Sequence, residues 1–238
     1  MKPLFICDWD RVFMIHYAVD PGALQGEVPV ALDLCAGQAY VSLVAFTLRD
    51  MRFCSGGPFT AWMTAPVANH AYLNVRTYVD NAGEKGIYFM KEWLSSRLAA
   101  QLGPCTFGLP LAYGRIDYRH NHASGRLEGN VSSRDGDASL SYAATLPSTG
   151  TVLEPEPGSL TEFLMERYVA YTSAGSIPRK FRVWHEPWPQ MPASAEVQNR
   201  GLLERSGDWH RHAELAGANY CRGLREVGMG RPMPACIE

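Results

Sequence analysis

From residue 72 to residue 80 the chain alternates, Tyr-Leu-Asn-Val-Arg-Thr-Tyr-Val-Asp. In an extended segment Leu73, Val75, Thr77 and Val79 fall on one face, and Tyr72, Asn74, Arg76 and Tyr78 on the other. A period of two predicts a strand, and a second follows over residues 86–93. It divides into Tyr88, Met90 and Glu92 against Ile87, Phe89, Lys91 and Trp93. Between the two lies Asn81-Ala82-Gly83-Glu84-Lys85, whose turn chemistry joins them as a hairpin. Pairing Asp80 near Gly86 puts Arg76 on the face of Met90 and Glu92, whereas a one-residue slip puts it beside Lys91. Opposite charges support a ladder and like charges weaken it, so the register that associates Arg76 with Glu92 is favoured.

Residues 38–48 are rich in β-branched and aromatic types and predict another strand, as do residues 114–118, 126–133, 138–145 and 180–185. Polar and glycine turns separate them at the spacing of an all-β sheet. One helix stands against this background, predicted over 159–171. Ser159-Leu160-Thr161-Glu162 forms its capping box, Leu160, Phe163, Leu164, Arg167 and Tyr168 recur at helical spacing, and Gly175 with Pro178 ends the segment. A loop over 147–158, with Pro147, Gly150, Pro155 and Pro157, leads into this helix, which covers one end of the sheet. Glu186-Pro187-Trp188-Pro189 reads as a rigid turn, and Gly103-Pro104 and Gly228-Met229-Gly230 as ordinary turns. From Gly201 onward the pattern weakens. The expected architecture is mainly β, of the α+β class, in one domain over 1–238, with 201–238 as a peripheral C-terminal segment.

Composition agrees with a packed core: 46% of the 238 residues are hydrophobic and 19% charged. The 22 basic and 24 acidic residues are scattered without a like-charged run, which argues against nucleic acid and membrane surfaces as partners. Asp8, Asp10 and Arg11 interrupt the apolar start before it reaches the length of a secretory leader. The apolar stretch from Val28 to Leu48 is broken by Asp33, Gln38, glycine and proline, which argues against a bilayer span. Six separated cysteines, none in a C-x-x-C pair, fit reduced thiols, and a cytoplasmic location is expected. No nucleotide or serine-hydrolase fingerprint occurs, and neither a cofactor nor a metal is expected. Homo-oligomerisation stays open.

Six segments in one order carry a resemblance over nearly the whole chain. They are Ile15-His16-Tyr17-Ala18-Val19-Asp20-Pro21, residues 74–79, Gly86-Ile87-Tyr88-Phe89, Phe107-Gly108-Leu109-Pro110, residues 163–168 with their glutamate and arginine, and His185-Glu186-Pro187-Trp188. Together they resemble the YqjF-like family of uncharacterised conserved proteins, in the acetoacetate decarboxylase-like superfamily. The resemblance implies a closed, largely antiparallel barrel or cone with a central cavity. True acetoacetate decarboxylases form a Schiff base on a lysine whose pKa a neighbouring cation lowers. That lysine follows a Gly-Phe-Pro run, matched here by Gly108-Leu109-Pro110, but the next residues are Leu111 and Ala112. A supporting glutamate of those enzymes falls at or near Asn74. The resemblance thus implies the scaffold without the decarboxylase machinery.

Two readings of the polar strand face remain. Asn74, Arg76 and Tyr78 form an anion-recognising wall, with Tyr88 and Tyr118 as further lining of a cavity that takes a small carboxylic or keto acid. Alternatively, Arg76 and Glu92 form a buried pair that only sets register, in a ligand sensor or structural protein whose barrel is filled by its own side chains. If the chain is an enzyme, a lyase or hydrolase of small organic acids is expected, with Lys91, Glu92 and His185 as candidate catalytic residues. Lys91 reads either as a desolvated nucleophile or as a lysine with its stem on the outer face. His120-Asn121-His122, placed in a loop, and Asp208 with His210 and His212 offer metal-ligating types, but too few ligands at converging positions for a site.

Overall fold

Apolar residues occupy both faces of the central strands, and the reason is burial on both sides. The computed structural model describes residues 2–148, 151–173 and 177–237. The first half runs β1 (Phe5–Val19), α1 (Pro21–Gln25), β2 (Ala39–Phe53), α2 (Ala61–Thr64), β3 (His70–Asn81), β4 (Glu84–Leu94), α3 (Arg97–Phe107) and β5 (Leu111–Asn121). The second runs β6 (Arg126–Ser133), β7 (Ser139–Thr145), α4 (Leu160–Met165), β8 (Val169–Thr172), β9 (Arg179–Trp184), β10 (Gln190–Asn199), β11 (Ala213–Met229) and β12 (Met233–Pro234). The strands form one sheet in the order β12-β9-β8-β4-β3-β2-β1-β11-β10-β7-β6-β5. Pairing is antiparallel except where β4 meets β5 and β8. Two further pairings tie the sheet back on itself, β9 to β11 and β5 to β4.

Phe13, Ile15, Val41, Leu43, Leu73 and Val75 pack into a first core, against Leu127, Leu140 and Tyr142 of β6 and β7. The alternate residues Met14, Val44, Phe46, Tyr72 and Tyr78 pack into a second, against Phe107, Leu164, Phe181 and Trp188. The candidate site lies in this second core.

Five local expectations change. Gly228 and Met229, expected in a turn, end β11 and pair with Trp184 and Val183 of β9. The helix that begins at Ser159 is six residues long, not thirteen. Ser159 Oγ accepts from Glu162 N–H as the capping box requires, but Glu166 already leaves helical geometry. Beyond it Val169 and Tyr171 suit an extended strand, and β8 inserts between β9 and β4, where it pairs with Ile87 and Tyr88 of β4. The expected stop Gly175, and Gly150 in the preceding loop, lie outside the described residues. Gly103 and Pro104 are not a turn but part of α3, which Ser96 caps and Gly108 ends in the left-handed conformation at φ 71°. Residues 201–238 are not peripheral: they carry β11, which pairs along β1 in the middle of the sheet. His120 stands in β5, not in a loop.

The hairpin register is the favoured one for four of its ten pairs. Tyr72, Leu73, Asn74 and Val75 pair with Leu94, Trp93, Glu92 and Lys91. A bulge then leaves Met90 unpaired, and from Arg76↔Phe89 to Asn81↔Glu84 the ladder is shifted by one residue. Arg76 therefore faces Phe89, neither Glu92 nor Lys91. The loop itself is only Ala82-Gly83, both with positive φ, 53° and 88°. Such a turn favours Asn-Gly, because alanine bears a steric cost there. Ala82→Asn is expected to raise stability by about 0.5–1 kcal/mol, measured by urea denaturation.

No helix among the described residues is long and apolar enough to cross a membrane. All six cysteines are unpaired.

Candidate functional site

Three neighbouring strands present one polar row in register. Arg76 of β3 lies opposite Ser42 of β2 and Phe89 of β4, Asn74 opposite Val44 and Glu92, and Tyr72 opposite Phe46 and Leu94. Above this row is a cavity of about 70 Å³, walled by Val44, Phe46, Ile87, Phe89, Leu109 and Phe181, and closed at one side by Trp188, His185 and Arg167. One water needs ~10–15 Å³ measured this way, so the space takes a few waters or an organic molecule of about five heavy atoms.

The polar groups around it are incompletely satisfied. Arg76, 6% exposed, donates from a terminal nitrogen to the carbonyl of Leu164 at 3.3 Å and lies 3.8 Å from Met14 Sδ, while its Nε–H has no partner. Among the described residues it makes no ion pair. Asn74 Oδ1, Glu92 Oε2 and Trp188 Nε1 are likewise buried without partners. Orphaned buried polar atoms are uncommon in folded proteins, and four of them surround this one cavity.

Glu92 does not neutralise Arg76. Burial raises its carboxyl to about 8, against which the hydrogen bond from Tyr72 O–H to Oε1, at 2.9 Å, works only in part. A value of about 8 favours the neutral acid at pH 7, which donates as well as accepts. Burial also lowers the pKa of Arg76, but a guanidinium keeps its proton. Arg167, by contrast, is compensated: its guanidinium is 2.8 Å from Asp33, which also holds Lys85 at 3.0 Å. Arg167 lies over the rings of Phe163 and Tyr78 and lines both this cavity and an outer groove of about 640 Å³ beside α4.

Tyr78 stands beside the cavity, donating to Leu164 O at 2.8 Å and bonded to Ser42 Oγ at 2.6 Å, which contacts His16 Nδ1 at 2.7 Å. It helps hold α4 in place. His185 lines the cavity, stacked on Tyr168 at 4.6 Å, with Nδ1 2.8 Å from the carbonyl of Glu186. Burial lowers its pKa, which keeps it neutral at physiological pH.

Other candidates lie elsewhere. Tyr88 and Tyr118 belong to the first core, on the opposite face of the sheet, with their hydroxyls bonded to Ser173 Oγ and the carbonyl of Tyr72. Lys91 pairs with Val75 and borders a separate groove with Trp93, Arg97 and Asp135. No lysine among the described residues lines the cavity. Leu111 pairs with Glu92, and Leu109 supplies part of the wall. His120 and His122 are engaged around Tyr220 and Tyr142, and no three potential metal-ligating side chains converge among the described residues. Trp188 and Arg167 were not singled out as site residues. Their signals were a tryptophan bracketed by prolines and an arginine inside an apolar helical face.

A family model described as an uncharacterized conserved protein, DUF2071, matches residues 7–224. The uncharacterized protein YqjF of Bacillus subtilis (strain 168) is 29% identical over 203 residues, 84% of this chain and 80% of that protein. Among solved structures, the acetoacetate decarboxylase of Legionella pneumophila superposes with a TM-score of 0.66 at 13% identity, covering 98% of this chain and 87% of its own. The enduracididine biosynthesis enzyme MppR, complexed with pyruvate, gives 0.65 at 16% identity, covering 98% and 91%. At these identities the likeness establishes an acetoacetate decarboxylase-like fold.

Proposed function

We propose, from the premise that this chain belongs to the DUF2071 family of uncharacterized conserved proteins, that its cavity binds a small organic anion, a short carboxylic or keto acid. The observation that carries the reading is Arg76: a buried guanidinium without a carboxylate partner, facing a cavity. An isolated buried charge costs several kcal/mol, and a bound carboxylate is the group that offsets it. A guanidinium grips carboxylate through paired N–H donors. Arg76 Nε–H and Trp188 Nε1–H supply donors, while Asn74 and protonated Glu92 are placed for a second oxygen function of the ligand.

The pairings of β9 with β11 and β5 with β4 support reading the sheet as a closed barrel around this space. Pyruvate in the MppR complex is a ligand of the proposed size and charge. Leu111, at the position matching the Schiff-base lysine, and the lack of a lysine in the lining support a chemistry other than that of a true acetoacetate decarboxylase. The unpaired cysteines are consistent with a cytoplasmic protein.

Trp9 and Trp188 border the cavity, stacked at 5.7 Å, so indole fluorescence should report occupancy. Titration with acetate, propionate and pyruvate is expected to give a saturable change, and their neutral amides none. Equal responses to acids and amides would overturn the anion reading. Mass spectrometry of molecules retained by the purified protein would identify the natural ligand.

A further inference from the structure

A second concave surface lies where the end of β5 meets the β1–β11 pair. It is a groove of about 440 Å³, lined by Arg11, Arg119, Arg222, His122 and Tyr220, with no carboxylate in its lining. The guanidiniums come from three strands distant in sequence, which makes the cluster a product of folding.

One wall is held in a fixed shape. Arg11 sits at an irregularity of the β1–β2 ladder with φ 52°, a left-handed conformation uncommon for a non-glycine residue. Buried His120 fixes it: as a neutral imidazole it donates from Nδ1 to the carbonyl of Arg11 at 2.8 Å and accepts from Tyr142 O–H at Nε2, 2.7 Å.

The positive charge is only partly balanced. Asp10 is shared between Arg11 and Arg49, at 3.1 Å from each Nε. Arg119 reaches Asp117 at 3.7 Å with both side chains exposed, and Arg222 makes no ion pair among the described residues. Two polar atoms in the lining are also orphaned, the hydroxyl of Tyr220, whose side chain is 1% exposed, and Nδ1 of His122 stacked on it. Burial raises the Tyr220 phenol, Arg11 and Arg222 pull it partly back, and Asp10 pushes it up again; both guanidiniums share the groove lining with this ring.

Three guanidiniums and an unpaired phenol are more donors than one planar carboxylate can accept from. A tetrahedral dianion, with acceptor oxygens in several directions, matches them better. We propose that this groove is a second ligand site, separate from the Arg76 cavity, that binds the phosphoryl group of a small phosphorylated molecule.

Calorimetric titration with inorganic phosphate and with methyl phosphate, in 0.15 M chloride buffer (physiological ionic strength, a Debye length of about 8 Å), tests this. Saturable one-to-one binding is expected. Stronger binding of methyl phosphate would assign the site to a phosphate ester, and stronger binding of phosphate to the free ion. Arg222→Ala should weaken either by about tenfold, and Tyr220→Phe by several-fold with the fold intact, because only an unpartnered hydroxyl is removed. Both variants should bind carboxylates in the Arg76 cavity as the parent does. Lack of saturation, or unchanged phosphate binding in both variants, would overturn the proposal.

Discussion

Arg76→Leu should abolish carboxylate binding while leaving the protein as stable as the parent, or more so. Truncating a charged group that meets an opposite charge in a buried site typically costs 2–5 kcal/mol, so affinity should fall by about a hundredfold or more. Stability should move the other way. In the empty protein Arg76 has no ion pair, and its bond to the carbonyl of Leu164 is duplicated by that of Tyr78. Leucine removes a desolvated charge and adds apolar contact beside Phe89 and Met14, an exchange that is often neutral or favourable. Fluorescence titration and thermal melting of the two proteins measure both quantities. Undiminished binding in the variant would mean that Arg76 is not the anion receptor, and a large loss of stability would mean that its role is structural.

The second large effect concerns pH. Glu92 holds its proton up to about pH 8 in the folded chain, against 4.5 as the ordinary value. Between these values the unfolded chain has released a proton that the folded chain retains, so stability falls as pH rises, by ~1.4 kcal/mol per unit. The total loss across the window is on the order of 5 kcal/mol, levelling off above pH 8. Buried His16, with its pKa lowered to about 3, and His70 and His120, lowered to about 4, have the opposite sign. They stay neutral in the folded chain while the unfolded chain protonates below the ordinary 6.5, so they destabilise the acid side. Stability should therefore peak near pH 6.5. Glu92→Gln should flatten the decline between pH 6.5 and 8 and steepen the acid limb between pH 4.5 and 6.5, where Glu92 works against the histidines. Urea denaturation from pH 5 to 9 reads the difference, and a parallel decline in both proteins would show that Glu92 ionises normally.

The period-two pattern of β3 was legible because both of its faces pack, one apolar and one polar, so the side-chain alternation survives in the sequence. Asn74, Arg76 and Glu92 could be placed on one face by that rule alone. The bulge at Met90 could not, because an unpaired residue leaves no mark on the alternation of the partner strand. Tyr88 shows the consequence: its position relative to the cavity depended on a register that changes within the hairpin. β11 was hidden for another reason. Its first part is exposed, Gly217 and Gly223 interrupt it, and a strand that changes environment along its length has no single period. α3 was obscured by Gly103 and Pro104 in its interior, although its Ser96 and Gly108 caps were in plain view. The glutamate of residues 163–168 came only with the family resemblance, and Arg167 was otherwise legible only as a position of helical spacing. In the fold Glu166 receives the backbone N–H of Trp188 at 2.9 Å and Arg167 pairs with Asp33, so both brace the cavity wall.

The unpaired Met90 also bears on how this scaffold could change over time. In an unbroken antiparallel ladder, residues two apart on facing strands are diagonal neighbours at about 7–8 Å. Arg76 and Glu92 would stand in that relation, and each would favour ionisation of the other. The extra residue between Phe89 and Lys91 lengthens one side of the diagonal. Glu92 still stands opposite Asn74, two residues before Arg76, and burial rather than register holds it as a neutral acid. Removing Met90 would make the ladder continuous from Tyr72 to Asn81, so chain length at this one position sets how Arg76 is presented to the strand beside it.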